Sequence, residues 1–144
     1  MVQKLRPIAN QFCSLLFEWA NEQEVRRNSL NSEKINWEQH KLWFNSKLKS
    51  ASSKIFIFEK DNLPVGQIRY DKKGDGIWDI DYSIDKKYRG LGFGKKMVEL
   101  SLSHISGVKR AVVQRKNIAS CKVFEQMGFK PWKNDDELIE YLYE

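Results

Sequence analysis

Arg89-Gly90-Leu91-Gly92-Phe93-Gly94 joins an extended segment, Ile77 to Ile84, to an apolar-periodic one carrying Met97, Val98, Leu100, Leu102 and Ile105. Glycines at alternate positions let backbone amides approach an anion closely, and a helix opening after the loop adds the partial positive charge of its N-terminus. Strand, glycine loop and helix in this order predict a phosphate site; the structural alternative is a tight turn whose glycines serve only positive φ. Lys86, Lys87, Arg89, Lys95 and Lys96 surround the loop and concentrate positive charge where a polyphosphate would lie. Two other phosphate motifs are excluded. A Walker loop needs Gly-Lys followed by Ser or Thr, but Gly94-Lys95 is followed by Lys96; in a dinucleotide fingerprint the third glycine would come one position later.

Working outward, the alternation in Ile77 to Ile84 puts Ile77, Asp79, Asp81 and Ser83 on one face of a strand and Trp78, Ile80, Tyr82 and Ile84 on the other. Gly107 ends the helix that follows the loop, and Val108 to Gln114 reads as the next strand. Upstream, Lys54 to Lys60 and Val65 to Tyr70 form a hairpin over Asp61-Asn62, and Lys72 to Gly76 turns into the Ile77 strand. Val2 to Arg6 is a short strand, and Phe12, Leu15, Leu16 and Trp19 mark a helix over Asn10 to Asn21. Asn36 with Gln39 caps a second helix whose Trp37, Leu42, Trp43, Phe44 and Leu48 share a broad face. Glu22 to Ile35 between these helices is a polar connection. Downstream, Ile118 to Met127 predicts a helix closed by Gly128, and Leu138 to Tyr143 a terminal strand. The class is α/β (α+β), in one domain over residues 1–144.

A chain of 144 residues, 41% of them hydrophobic, can bury a core of useful size. No apolar run approaches the roughly 20 residues of a membrane span, and Met1 to Asn10 lacks the charged start and apolar centre of a signal peptide, so a cytoplasmic protein without membrane contact is expected. Cys13 and Cys121 make no disulfide framework, and with His40 and His104 they have no zinc-ligand spacing, so no metal is expected. The net charge of +6 favours an anionic partner. Nucleic acid is disfavoured because the basic residues are scattered and no nucleic-acid motif appears. A homodimer is left open.

Arg89, Gly92 and Gly94 match the Arg/Gln-x-x-Gly-x-Gly/Ala loop, and Asn117, Ser120, Phe124, Gly128 and Phe129 follow a strand in the order N-x-x-S/A-x-x-x-Y/F-x-x-x-G-F. With two motifs in register, the region from Trp78 to Pro131 resembles the GNAT superfamily of N-acetyltransferases. The resemblance implies a mixed, mostly antiparallel central sheet flanked by helices, and acetyl-coenzyme A as donor, with coenzyme A as product. It implies that amides from Gly90 through Leu91, Gly92, Phe93 and Gly94 to Lys95 hold the pyrophosphate beside Arg89, and that Asn117 and Ser120 line the other side. It also implies that Tyr82, Ser83 and Ile84 offer backbone groups to the pantetheine arm, because splaying from the next strand would free them. Asn117 could equally cap its helix, and both roles are compatible.

Acyl transfer to an amine needs a neutral nucleophile, and the resemblance implies a carboxylate on the strand before the loop. Asp79 matches that position best, Asp81 shares its face, and Glu59 on the hairpin is a third choice. Cys121 lies on a helix with no neighbouring His to activate it, so direct transfer is expected rather than an acyl-enzyme. Phe124 stands where many relatives carry a tyrosine that protonates the departing thiolate. It is expected to pack beside the cofactor, with water or a group such as Ser120 assisting the sulfur.

On the acceptor side, the resemblance extends to amino-sugar-nucleotide N-acetyltransferases of pseudaminic acid biosynthesis, including forms fused to the nucleotide-sugar hydrolase of that pathway. It implies a small-molecule amine acceptor, the 4-amino group of a UDP-linked 4-amino-4,6-dideoxy sugar. Arg26 and Arg27 with Asn28 would contact the nucleotide diphosphate, and Trp43 or Phe44 would stack on base or sugar. The alternative acceptor is a protein N-terminus, a lysine or a polyamine; a polyamine would want a carboxylate-rich pocket, whereas this segment carries paired arginines.

Overall fold

The computed structural model describes residues 2–144. Strand β1 (Gln3–Pro7) leads through a single 3₁₀ turn, Asn10–Phe12, into helix α1 (Cys13–Ala20). A short helix α2 (Gln23–Asn28) and the longer α3 (Trp37–Lys49) follow. Asn36 caps α3 as its sequence foretells, Oδ1 accepting from the amides of Glu38 at 2.8 Å and Gln39 at 3.3 Å. Asp61 and Asn62 take φ of 52° and 68°, the left-handed pair that a two-residue hairpin requires, and fold β2 (Ser53–Lys60) back on β3 (Leu63–Lys72).

Strand β4 (Trp78–Ile84), helix α4 (Phe93–Leu102), strand β5 (Lys109–Gln114) and helix α5 (Ile118–Gln126) form the strand–loop–helix–strand–helix unit, and β6 (Lys130–Asn134) and β7 (Leu138–Tyr143) complete it. Among the described residues the seven strands lie in the order β1-β2-β3-β4-β5-β7-β6, and only the β4–β5 pair is parallel. This is the mixed, mostly antiparallel sheet expected.

Alternation along β2 divides the apolar side chains between two layers. Phe56 and Phe58 join Met97, Val98, Phe124 and Tyr141 beneath α4 and α5. Ile55 and Ile57 pack on the other face with Phe12, Leu16, Trp19 and Phe44 from the N-terminal helices. No helix among the described residues is long and apolar enough to cross a membrane.

Two elements depart from the sequence expectation. The polar connection from Glu22 to Ile35 contains α2, which buries no residue and so carries no apolar stripe; the Glu22 side chain starts it by accepting from the Val25 amide at 3.1 Å. Strand β6 escapes the pattern because all five of its residues are exposed and its register slips between Pro131 and Lys133.

Gly66, on β3, shows how closely the strands beside the site approach. A Cβ there would lie 2.6 Å from the Ser83 carbonyl oxygen and 2.8 Å from Ile84 Cδ1. Gly66→Ala must therefore push β3 from β4, and the overpacking should cost about 1–3 kcal/mol, read as a fall in Tm of about 3–10 °C in thermal denaturation.

Candidate active site

The parallel ladder between β4 and β5 consists of two residue pairs, Trp78 with Lys109 and Asp79 with Arg110. Beyond them the strands part. β4 stays bonded to β3 as far as Ile84, and β5 to β7 as far as Gln114, so the facing edges of both strands present backbone groups without a ladder partner to the gap. Tyr82, Ser83 and Ile84 lie on that edge, the position expected for them.

The glycine loop stands at the mouth of the gap. Gly90 and Gly92 take φ of 77° and 82°, and Gly92 is the N-cap of α4 without a side chain to satisfy the helix amides. Nothing lies within 4 Å of where a Cβ would sit on either glycine. Open space over exposed amides at a helix N-terminus suits a phosphate. The resulting cleft has a volume of about 1100 Å³ and is lined by the loop, β4, the start of α5 and the N-terminal helices. That is just above the usual range of about 300–1,000 Å³ for single-ligand sites, with room for a donor and an acceptor together.

Arg89 holds the loop instead of reaching over it. Its Nε donates to the Ile84 carbonyl at 3.0 Å, while Nη2 reaches Glu22 at 3.0 Å and Nη1 reaches Glu24 at 2.6 Å. The Arg89 hydrogen bond in turn holds the Glu22 carboxyl below its ordinary value against the effect of burial. Lys95 lines the cleft and Leu91 projects outward, 64% exposed.

Across the gap, Asn117 caps α5 by accepting from the Ser120 amide at 3.3 Å and also lines the cleft, so both of its expected roles are compatible with its position. The Tyr82 and Ser120 hydroxyls share a hydrogen bond at 3.0 Å. Phe124, buried, meets the Tyr82 ring edge-on at 5.7 Å between centroids. Cys121 is buried in the same core, its Sγ 3.9 Å from the Gln114 carbonyl.

The opposite face of the sheet carries a polar array. Register sets Gln67 beside Ser83, Arg69 beside Asp81 and Asp71 beside Asp79. Burial works to raise the Asp71 carboxyl, and Lys47 at 2.7 Å, Ser53 and Arg69 together overcome it and hold it below the ordinary value. Asp79 accepts from Arg110 Nε at 2.6 Å, and Arg110 Nη1 continues to Asp75 at 2.9 Å. These contacts, led by Asp79, fix the guanidinium more firmly in its charged form. Asp81 is the least committed acid, its side chain 58% exposed, with Gln67 Nε2 at 3.4 Å and Arg69 Nη2 at 3.9 Å. The Arg69 guanidinium lies 5.2 Å from the centre of the Trp43 ring.

Several expected acceptor contacts need correction. Arg26 lines the cleft, but four of its five N–H donors are committed within its own loop, to the carbonyls of Ala20, Asn31 and Glu33 and the Ser29 hydroxyl. Arg27 is exposed, pairs with Glu24 and lies outside the cleft lining. Phe44, 1% exposed, belongs to the core with Ile55 and Ile57, whereas Trp43 and Asn28 do line the cleft. Glu59 is buried on β2, one strand in from the sheet edge, with Lys4 and Arg6 of β1 beside it, and lies outside the cleft lining. His40, also buried, bonds the Cys13 carbonyl at 2.8 Å, and burial lowers its imidazole, which favours the neutral ring. Sequence reasoning missed Gln67, Arg69, Asp71 and Arg110. The alternation of β3, in step with Asp79 and Asp81, was the signal available for the first three.

Comparison with known proteins agrees with this architecture. An uncharacterized protein of Methanocaldococcus jannaschii is 25% identical over 147 residues, a match covering 97% of this chain and 30% of that protein, so the chain spans under a third of that relative's length. A crystal structure of a domain from the same organism superposes with a TM-score of 0.83 at 23% identity, covering 99% of this chain and 97% of that one. Spermidine N-acetyltransferase from Vibrio cholerae, solved with CoA and spermine, superposes with a TM-score of 0.84 at 11% identity, covering 98% and 94%. At such identities the superpositions speak for the fold alone. The family model for the acetyltransferase (GNAT) domain matches residues 4–130, and this chain belongs to that family.

Proposed function

We propose that the chain transfers the acetyl group of acetyl-CoA directly to a primary amine on an amino sugar carried by a nucleotide. The observation that supports the donor half most strongly is the ending of the β4–β5 ladder at Asp79 and Arg110, with the glycine loop at the open end. Amides from Gly90 to Lys95 would hold the pyrophosphate, the free edge of β4 at Tyr82, Ser83 and Ile84 would meet the pantetheine amides, and Asn117, Ser120 and Phe124 would flank the arm. The bound donor supplies an activated thioester.

Asp81 is the proposed base. Its carboxylate has no short ion pair, whereas Asp79 is bound to Arg110 at 2.6 Å and contributes by fixing that guanidinium beside the acceptor. Direct transfer is favoured because Cys121 is buried and has no basic partner.

The sugar assignment draws on the mixed character of the acceptor face. Amide, carboxylate and guanidinium groups alternate over Gln67, Arg69, Asp71, Asp79, Asp81 and Arg110, with Trp43 below, a set suited to hydroxyls and a sugar ring. A polyamine would need uncommitted carboxylates, yet Glu24, Asp71 and Asp79 already pair at 2.6 to 2.8 Å. With most donors of Arg26 committed to its own loop and Arg27 outside the cleft lining, Lys73, exposed at the cleft rim, is the proposed diphosphate contact. A thiol-release assay across nucleotide-linked amino sugars, free amino sugars, polyamines and peptide amines tests this. The nucleotide-linked sugars should give the highest kcat/KM; greater efficiency with spermine or a peptide would overturn the acceptor assignment and leave the donor assignment standing.

A further inference from the structure

Phe124, on helix α5, has no proton to give, but a phenol on strand β4 stands beside it. Tyr82 projects from β4 beneath the first turn of α4, where a Cβ on Gly94 would come within 3.2 Å of its Cε2. Its ring meets Phe124 edge-on, and its hydroxyl lies 3.0 Å from Ser120 Oγ at the start of α5. Both Tyr82 and Ser120 line the cleft at the splayed end of β4.

Counting protons identifies what this pair can do. Each hydroxyl has one O–H to donate, and one shared hydrogen bond consumes one of the two. Neither oxygen has another partner among the described residues, so one O–H remains available to the cleft. Donation from Ser120 to the Tyr82 oxygen leaves the phenol, the stronger acid of the two, as the free donor.

We propose that Tyr82 is a catalytic residue that gives its O–H hydrogen bond to the sulfur departing from the acetyl group, taking the place of the phenol absent at Phe124. This rests on the acetyl-CoA reading above. The amine nitrogen forms its bond to the carbonyl carbon, the C–S bond breaks with its electron pair passing to sulfur, and the proton lost by nitrogen goes to Asp81. Tyr82 keeps its proton and stabilises the thiolate through O–H···S. Burial pushes the phenol up to about 12, which keeps it a donor throughout the neutral and mildly alkaline range.

Two readouts test the proposal, one independent of turnover. In the complex with CoA, thiolate absorbance near 240 nm reports the titration of the bound thiol. Tyr82→Phe should move that titration upward by about one pH unit, with CoA affinity by calorimetry kept within about threefold, the scale of one hydrogen bond to a charged group. It should lower kcat by about 10- to 100-fold, and Phe124→Tyr added to it should recover at least about tenfold. Ser120→Ala keeps the Tyr82 ring packed and should shift the thiol titration in the same direction, so the test survives if Tyr82→Phe fails to fold. Unchanged thiol titration and kcat in a folded, CoA-binding Tyr82→Phe variant would overturn this inference alone. Failure of the unmutated chain to bind CoA would overturn the donor reading and this inference with it.

Discussion

Gly92→Asp should weaken acetyl-CoA binding by about 10²-fold or more while the far-ultraviolet circular dichroism stays native. Gly92 takes φ of 82° at the N-cap of α4, and nothing occupies the space around it, so the new side chain meets no steric obstacle. Aspartate is itself a good N-cap and would offer its carboxylate to the amides that the pyrophosphate needs. Its negative charge would also face the phosphates, and like-charge contacts of this kind cost several kcal/mol, hence the expected factor. Gly92→Ala separates charge from backbone strain: it incurs only about 1–2 kcal/mol of left-handed strain and should bind far better than the Asp variant. Equal losses in the two variants, measured by calorimetry, would mean that loop conformation and not anion competition controls binding.

Asp81→Asn should lower kcat by about 10² to 10⁴, the usual range for removing a general base, and leave acetyl-CoA affinity unchanged because the residue lies on the acceptor face. Asparagine keeps the size of the side chain and can still accept from Gln67, so a structural role would survive the change. Asp79→Asn has a different expected signature. It weakens the hold on Arg110, whose Nη1 remains with Asp75, and should raise the acceptor KM more than it lowers kcat. A full kcat loss in Asp79→Asn with near-normal turnover in Asp81→Asn would exchange the two roles.

The backbone geometry of the proposed donor side was legible in the sequence because its signals are local. Alternate glycines before a helix, Asn117 three residues ahead of Ser120, and Asp61-Asn62 between alternating runs each specify backbone geometry within a few residues. The acceptor side was less legible because its chemistry depends on partners distant in sequence. An arginine pair reads as a phosphate contact until the fold reveals that Arg26 closes its own loop through Ala20, Asn31 and Glu33. Trp43 and Phe44 are neighbours on α3, yet one turn angle sends Trp43 to the cleft and Phe44 into the core against β2. Helical periodicity finds the broad face but not which edge of it meets a ligand. Asp79 and Asp81 share one face of β4 and the resemblance puts Asp79 first as the base, yet the short parallel contact with β5 sets Arg110 against Asp79 and leaves Asp81 more open.

Calorimetric titration of the unmutated chain with acetyl-CoA, in parallel with pantetheine, which lacks the phosphoadenosine diphosphate portion, is the most direct test of the cleft as a donor site. Saturable binding at one equivalent, weakened by added salt and lost on removing the nucleotide portion, is expected from amides and lysines that hold the pyrophosphate. Absence of saturable binding, or equal binding of pantetheine without phosphates, would contradict it.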